Sequence, residues 1–319
     1  MEKLQTISYL SREDNSMQPV LFRPAEGSEP RPLAVCLHTW SYGIEPPYDH
    51  FVTRCKERNW HFIYPLFRGP NKTPEACGSD LVVSDLECAV EFVRKNYPVD
   101  ESRIYLVGGS GGGHAALLMA GRRPEIWTAV SAWCPITDIA RWCEEISKMK
   151  PNPEDKSYDY NIMCACGGDP AVVPEAARQA AHRSPITHLP GARGKGIVEI
   201  ATGIHDGHPG VPVSHAVRAF NALAAPEYRI SDEDMAYMDK NEAVPEHLKY
   251  KGEDDPAFGP CKVLFRRVSG KVRLTLFEGG HSLLPGPAFG FLEQQERGKE
   301  PVWNSGNYYD SDQNHELTK

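Results

Sequence analysis

The sequence has no apolar run approaching the roughly 20 residues a membrane-spanning helix needs, and its start, MEKLQTISYLSREDNS, carries no apolar leader. Neither a membrane span nor a secretion signal is expected, so the cytoplasm is the default compartment unless a leader has been removed. Positive charge is in deficit. With 35 Lys+Arg against 43 Asp+Glu, a net −8, the chain is a poor fit to phosphate backbones, and no nucleic-acid partner is expected. Cysteine is present without the arrangement of a disulfide framework: nine residues, an odd number, are scattered along 319 positions. Cys36, Cys88 and Cys134 lie in apolar segments and read as small core hydrophobes. Cys164-Ala165-Cys166 lacks a second pair at zinc-binding spacing. Repeats at a period of about 20–50 residues and low-complexity tracts are missing as well. What is present, 40% hydrophobic and 24% charged residues, is the balance of a globular enzyme.

The order of patterns fixes a fold class. QTISY (5–9) and PVLFR (19–23) are strand-like and joined by the turn-forming SREDNS, which predicts a hairpin. LAVCLH (33–38) and HFIYPLF (61–67) are continuous apolar runs, as strands covered on both faces require. Residues 49–59 read as helix between them. Residues 79–97 place Val82, Leu86, Ala89, Val90 and Val93 at helical spacing behind a Ser79 N-cap, and Pro98 ends the run. RIYLVGG (103–109), WTAVSAW (127–133), IVEIAT (197–202) and VRLTLFE (272–278) read as further strands, with HAALLMAG (114–121) a helix. Strand and helix in alternation predict a single α/β domain over 1–319: a mostly parallel sheet, helices on both faces, and an antiparallel N-terminal edge. Segments 141–194 and 226–260 interrupt the alternation. Insertions of this length cover a site or mediate assembly, which leaves a homo-oligomer open.

The chemistry starts at Gly108-Gly109-Ser110-Gly111-Gly112, a G-x-S-x-G between a strand and a helix. A serine on so sharp a turn has a strained backbone and needs small neighbours. The helix start behind it offers amides to developing negative charge. Phosphate binding is the rival reading and fails, because the turn ends Gly-Gly-His rather than Gly-Lys-Ser/Thr and the dinucleotide spacing is wrong. No cofactor is expected. A serine needs a base, and the base an orienting acid. His281, in Glu278-Gly279-Gly280-His281 after the last strand, is preferred over His38, His114, His182 and His188. Asp206, in the loop after IVEIAT, is preferred over Asp138. His205, Asp206, His208 and His215 invite a metal, but Gly207, Pro209, Gly210 and Pro212 make the segment a loop without helical ligand spacing, and no metal is expected. Two amides should stabilise an oxyanion: Gly111, and Trp40 in His38-Thr39-Trp40-Ser41-Tyr42-Gly43, with Thr39 the alternative. Tyr42, Arg68 and Trp133 fall at strand ends on the same edge and are expected substrate contacts.

With LHTWSYG, GGSGGGH, HDGHPGVPVSHAVRAFNAL and FEGGHSLL, and HRSPITHL before the acid strand, the chain resembles the prolyl-oligopeptidase-like branch of the α/β-hydrolases across roughly residues 30–290. The resemblance implies a serine hydrolase with Ser110, Asp206 and His281 as its triad. Departures stand beside it. Val211 is five residues after Asp206 where the branch has three, and Thr39 replaces a common glycine. About 30 residues precede the first buried strand of the sequence, so the branch's propeller is not expected here. The compact members similar to this sequence are commonly acetyl or feruloyl esterases, so the resemblance implies a small-molecule or oligosaccharide ester as substrate. A peptidase on short peptides and a catalytically idle binding module are the alternatives.

Overall fold

A computed structural model describes residues 4–45, 48–149, 157–207, 210–304 and 315–316. Nine strands form one sheet: β1 (Gln5–Leu10), β2 (Met17–Arg23), β3 (Arg31–Leu37), β4 (His61–Pro65), β5 (Val99–Gly109), β6 (Ala129–Trp133), β7 (Ile197–Gly203), β8 (Val263–Ser269) and β9 (Val272–Phe277). Their spatial order is β1-β2-β4-β3-β5-β6-β7-β9-β8. From β4 to β9 the neighbours pair in parallel, while β1, β2 and β8 are antiparallel additions at the two ends. The expected α/β-hydrolase architecture with an antiparallel N-terminal edge is therefore the observed one. The second antiparallel edge, β8, is a difference. VLFRRVS is interrupted by two arginines, which hid it beside the uniformly apolar VRLTLF of its partner.

Period-2 alternation sorts the central strands between two cores. Leu33, Val35 and Leu37 of β3 pack beneath α2 (Asp80–Asn96) and α3 (Gly111–Arg122), whereas Ala34 and Cys36 face the layer holding α1 (Asp49–Glu57). Ser79 caps α2 by accepting from the Val82 amide, and the five apolar positions read from the sequence are all buried. The first insertion folds into α4 (Ile139–Met149), α5 (Tyr158–Cys166), α6 (Pro174–Arg183) and the short α7 (Pro185–His188). It builds a third apolar cluster of its own around Ile139, Trp142, Ile162 and Ala180. After β7 comes α8 (Val213–Leu223). The second insertion then holds α9 (Asp232–Asn241), whose Met235 and Met238 join the core under α8. Further on, its Phe258 packs on Trp133 and Phe277 in the opposite layer, where α10 (Pro285–Glu293) also lies. The second insertion thus straps round the β8 end of the sheet. No helix among the described residues is long and apolar enough to cross a membrane.

Candidate active site

The adjacent parallel strands β3, β5, β6, β7 and β9 all point their C-terminal ends to one edge, where the crevice of an open α/β sheet forms. Ser110 follows β5 with φ 56° and ψ −120°, a conformation a non-glycine residue adopts only when its surroundings enforce it. Its amide donates to the Trp133 carbonyl at 2.9 Å, and its carbonyl receives the His114 amide at 2.9 Å. Although serine is a preferred N-cap, this side chain makes no capping bond to α3. The hydroxyl is left to the cavity it lines. Gly111 must be glycine because a Cβ there would stand 2.5 Å from the Trp40 backbone nitrogen. That close approach brings the elbow against the loop after β3. The Trp40 and Gly111 amides have no acceptor among the described residues, an unusual state for backbone donors in a packed site.

On the other side, Gly203 lets the acid and base loops touch, since a Cβ would collide with the Gly279 and Gly280 carbonyls. The His205 amide donates to the Gly279 carbonyl at 3.0 Å. Asp206, 3% exposed, accepts from the Val211 amide at 2.9 Å and the Thr202 hydroxyl at 3.1 Å. His281 Nδ1 donates to the same carboxylate, at 2.9 Å and 2.8 Å to its two oxygens. Burial opposes a charged imidazole here, but the facing Asp206 carboxylate outweighs it and holds His281 well above the ordinary histidine range. His281 and Ser110 line one cavity of about 90 Å³. Thr39 to Tyr42 form one wall of it, and Gly210 and Val211 another. Among the described residues no carboxylate, lysine or arginine lines it.

The other candidates go elsewhere. Asp138 accepts from the Arg141 amide at the start of α4. His114, pulled down to about 4 by burial, faces the Arg183 carbonyl. The ring nitrogens of His38 face the Thr39 and Leu66 carbonyls at 2.9 and 2.7 Å, which fixes the loop carrying Trp40. His205 donates to Glu242 at 3.0 Å and to Glu278 at 2.6 Å, each nitrogen to a different carboxylate, and so ties the acid loop to the base loop. His215 is wholly buried, accepts from the Thr137 amide and donates to Glu145. His208 lies outside the described residues.

Tyr42 stands 39% exposed at the rim, but Arg68 and Trp133 need correcting. Arg68 follows Phe67, both at positive φ, and the reversed chain sends its guanidinium away from the cavity to Asp85 and Asp14, at 2.6 Å each. Trp133 is fully buried against Phe258 and Phe277, its indole donating to Ser131. It serves the elbow through its carbonyl alone. Sequence reasoning missed Trp142 and Tyr158, whose stacked rings at 5.3 Å line the cavity from the first insertion. Trp142 also donates to the Gly210 carbonyl at 3.2 Å. The amphipathic run IARWCEEISKM was the available signal, though nothing in it says which ring reaches the site. Cys134, read from the sequence as a small buried hydrophobe, is 1% exposed, and it sits at positive φ beside Asp206 and His281.

The prolyl oligopeptidase family model matches residues 79–165, the span that carries the elbow. Over 189 residues the chain is 27% identical to acylamino-acid-releasing enzyme 1 of Oryza sativa subsp. japonica, covering 53% of this chain and 22% of that one. It is 30% identical over 87 residues to S-formylglutathione hydrolase of Rattus norvegicus, covering 26% and 31%. It therefore spans under a third of the length of these relatives. An acylaminoacyl peptidase structure from Pyrococcus horikoshii superposes with TM-score 0.61 at 12% identity, over 95% of this chain and 43% of that one. Residues 79–165 thus resemble the prolyl oligopeptidase family, and the chain as a whole shares the α/β fold of the similar structure.

Proposed function

We propose that this protein is a serine esterase acting on neutral esters of small acyl groups, with carbohydrate esters as the substrate class. Ser110 attacks the acyl carbonyl while His281 takes the hydroxyl proton. Asp206 keeps the imidazole in the Nδ1–H tautomer and stabilises its cation. The carbonyl oxygen becomes an oxyanion held by the Trp40 and Gly111 amides, each worth about 3–4 kcal/mol when removal of such a donor is measured. His281 returns the proton to the departing alcohol, and water then releases the acid from the acyl-enzyme by the same steps. The observation that carries this reading is the pair of amides without an acceptor, Trp40 and Gly111, next to Ser110 at a small cavity whose described lining holds no carboxylate, lysine or arginine. Tyr42, Trp142 and Tyr158 supply flat apolar walls suited to a sugar or aryl face. The helices of the first insertion act as a cap over it.

A peptidase releasing N-acylated amino acids is the second reading. An acylated amine carries no charge and also suits a cavity lacking a carboxylate, and two of the similar proteins are named for that activity. Aryl acetates, butyrates, acetylated and feruloylated sugars and acylaminoacyl anilides, compared by kcat/KM, separate the readings. Ser110→Ala should lose turnover by several orders of magnitude and lose fluorophosphonate labelling, with the fold intact. Undiminished ester hydrolysis by that variant would end the proposal.

A further inference from the structure

The acid–base pair has a third neighbour that the reaction does not use. Cys134 follows β6 at φ 45°, is 1% exposed, and donates its thiol to the Ser282 carbonyl at 3.3 Å, in the residue after His281. Donor atoms of Cys134, Asp206 and His281 all lie within 4.8 Å of one another. We propose that these three side chains form an inhibitory site for a thiophilic divalent cation, with zinc the type ion.

The chemistry of the set is selective. Sulfur, imidazole nitrogen and one carboxylate are a zinc donor combination, whereas magnesium and calcium require mostly oxygen. Zinc bonds of about 2.0–2.3 Å in a tetrahedron place neighbouring donors about 3.3–3.8 Å apart. The His281 Nδ1–Asp206 pair, at 2.8 Å, then opens by about half an ångström, while donors as far apart as 4.8 Å close by about an ångström. Burial pushes the Cys134 thiol up, so coordination proceeds with loss of protons to solvent: Zn²⁺ replaces H⁺ on the Cys134 sulfur and on the ring nitrogen of His281 that binds it, and no electron changes hands. Entry is through the cavity that His281 lines. Once bound, the ion takes the carboxylate that orients the imidazole, and its charge opposes formation of the imidazolium. Proton transfer from Ser110 stops. Removing the ion restores it.

Inhibition rests on the esterase reading, but occupancy does not, so the test measures both. The full-length Ser110→Ala protein, which needs no turnover, is titrated with Co²⁺ and with Zn²⁺ against a chromophoric chelator. One equivalent should bind, and Co²⁺ should produce a thiolate-to-metal absorption in the near ultraviolet. Cys134→Ala and Cys134→Ser, each in the Ser110→Ala background, should lose that band and weaken Zn²⁺ binding about a hundredfold or more. In the active protein Zn²⁺ should inhibit reversibly, EDTA should restore turnover, and Mg²⁺ should do nothing. Each Cys134 variant, referenced to its own activity in EDTA, should resist Zn²⁺ to the same hundredfold degree. Absence of the cobalt–thiolate band from the Ser110→Ala protein overturns the site, whether or not the variants fold. Equal Zn²⁺ sensitivity in wild type and folded Cys134 variants overturns it too. A bound equivalent and cobalt band without inhibition would keep the site and refute the esterase mechanism instead.

Discussion

Three side chains set the acidity of the centre, and each is reached by a different loop. Asp206 receives the Val211 amide and the Thr202 hydroxyl before it receives His281, so it stays ordered when the imidazole moves. Because that carboxylate holds His281 above the ordinary histidine value of about 6.5, the base is protonated and idle at low pH. It becomes competent only as pH rises through the elevated value. The acid limb of kcat/KM should accordingly lie above 6.5, the sign being set by stabilisation of the imidazolium. Asp206→Asn removes the stabilising charge and the correct tautomer. We expect the limb to move down in pH and kcat to fall about 10⁴-fold, measured from initial rates across the range. At this scale Ser110 was readable because its glycines declare the close approach of Trp40. Arg68 and Trp133 were misread because position at a strand end does not fix where a side chain turns. Positive φ sent one to Asp85, and pleat alternation sent the other into the core.

Among the elements, the first insertion couples shape to chemistry. Trp142 packs edge-on to Trp40 at 4.8 Å, stacks on Tyr158, and holds the Gly210 carbonyl. Gly210 in turn lies against the Asp206 carboxylate. One ring therefore joins the first insertion, the loop after β3 and the loop after β7. Trp142→Phe keeps most of the apolar area and deletes one hydrogen bond, which should lower kcat/KM about fivefold to tenfold with little change in melting temperature. A drop in stability without a kinetic effect would show that the ring only packs. The central strands were visible as unbroken apolar runs, since burial on both faces allows little else. An edge strand tolerates charge on its open side, so β8 was not visible, and neither was the pairing of cap aromatics with a cavity formed by distant segments.

Across the whole molecule, the sheet carries a buried charge relay well below the catalytic edge. Arg273 of β9 meets Glu199 of β7, both fully buried, and Glu199 also accepts from Ser131 of β6, which accepts from Trp133. This chain of contacts crosses three neighbouring strands and pins their register. Arg273→Met leaves Glu199 charged and without its cation, and should cost about 3–5 kcal/mol in denaturant unfolding. A loss under about 1 kcal/mol would mean the pair adds little to the stability of the sheet. The alternating sequence pattern predicted the mostly parallel sheet but not the strand order that assembles this relay. Which residues would meet inside it depended on pairing that no local pattern records.

The apolar cluster of the first insertion, which takes Trp40 from the loop after β3 as a member, has a thermal consequence. A small unit with its own boundary opens at less cost than the sheet, and when it opens it carries the loop's amide donor out of register. On gradual warming, turnover should therefore fade while circular dichroism still reports an intact sheet, and cooling from that interval should bring it back. If both signals decline together, the helices over the cavity and the strands below are a single cooperative body.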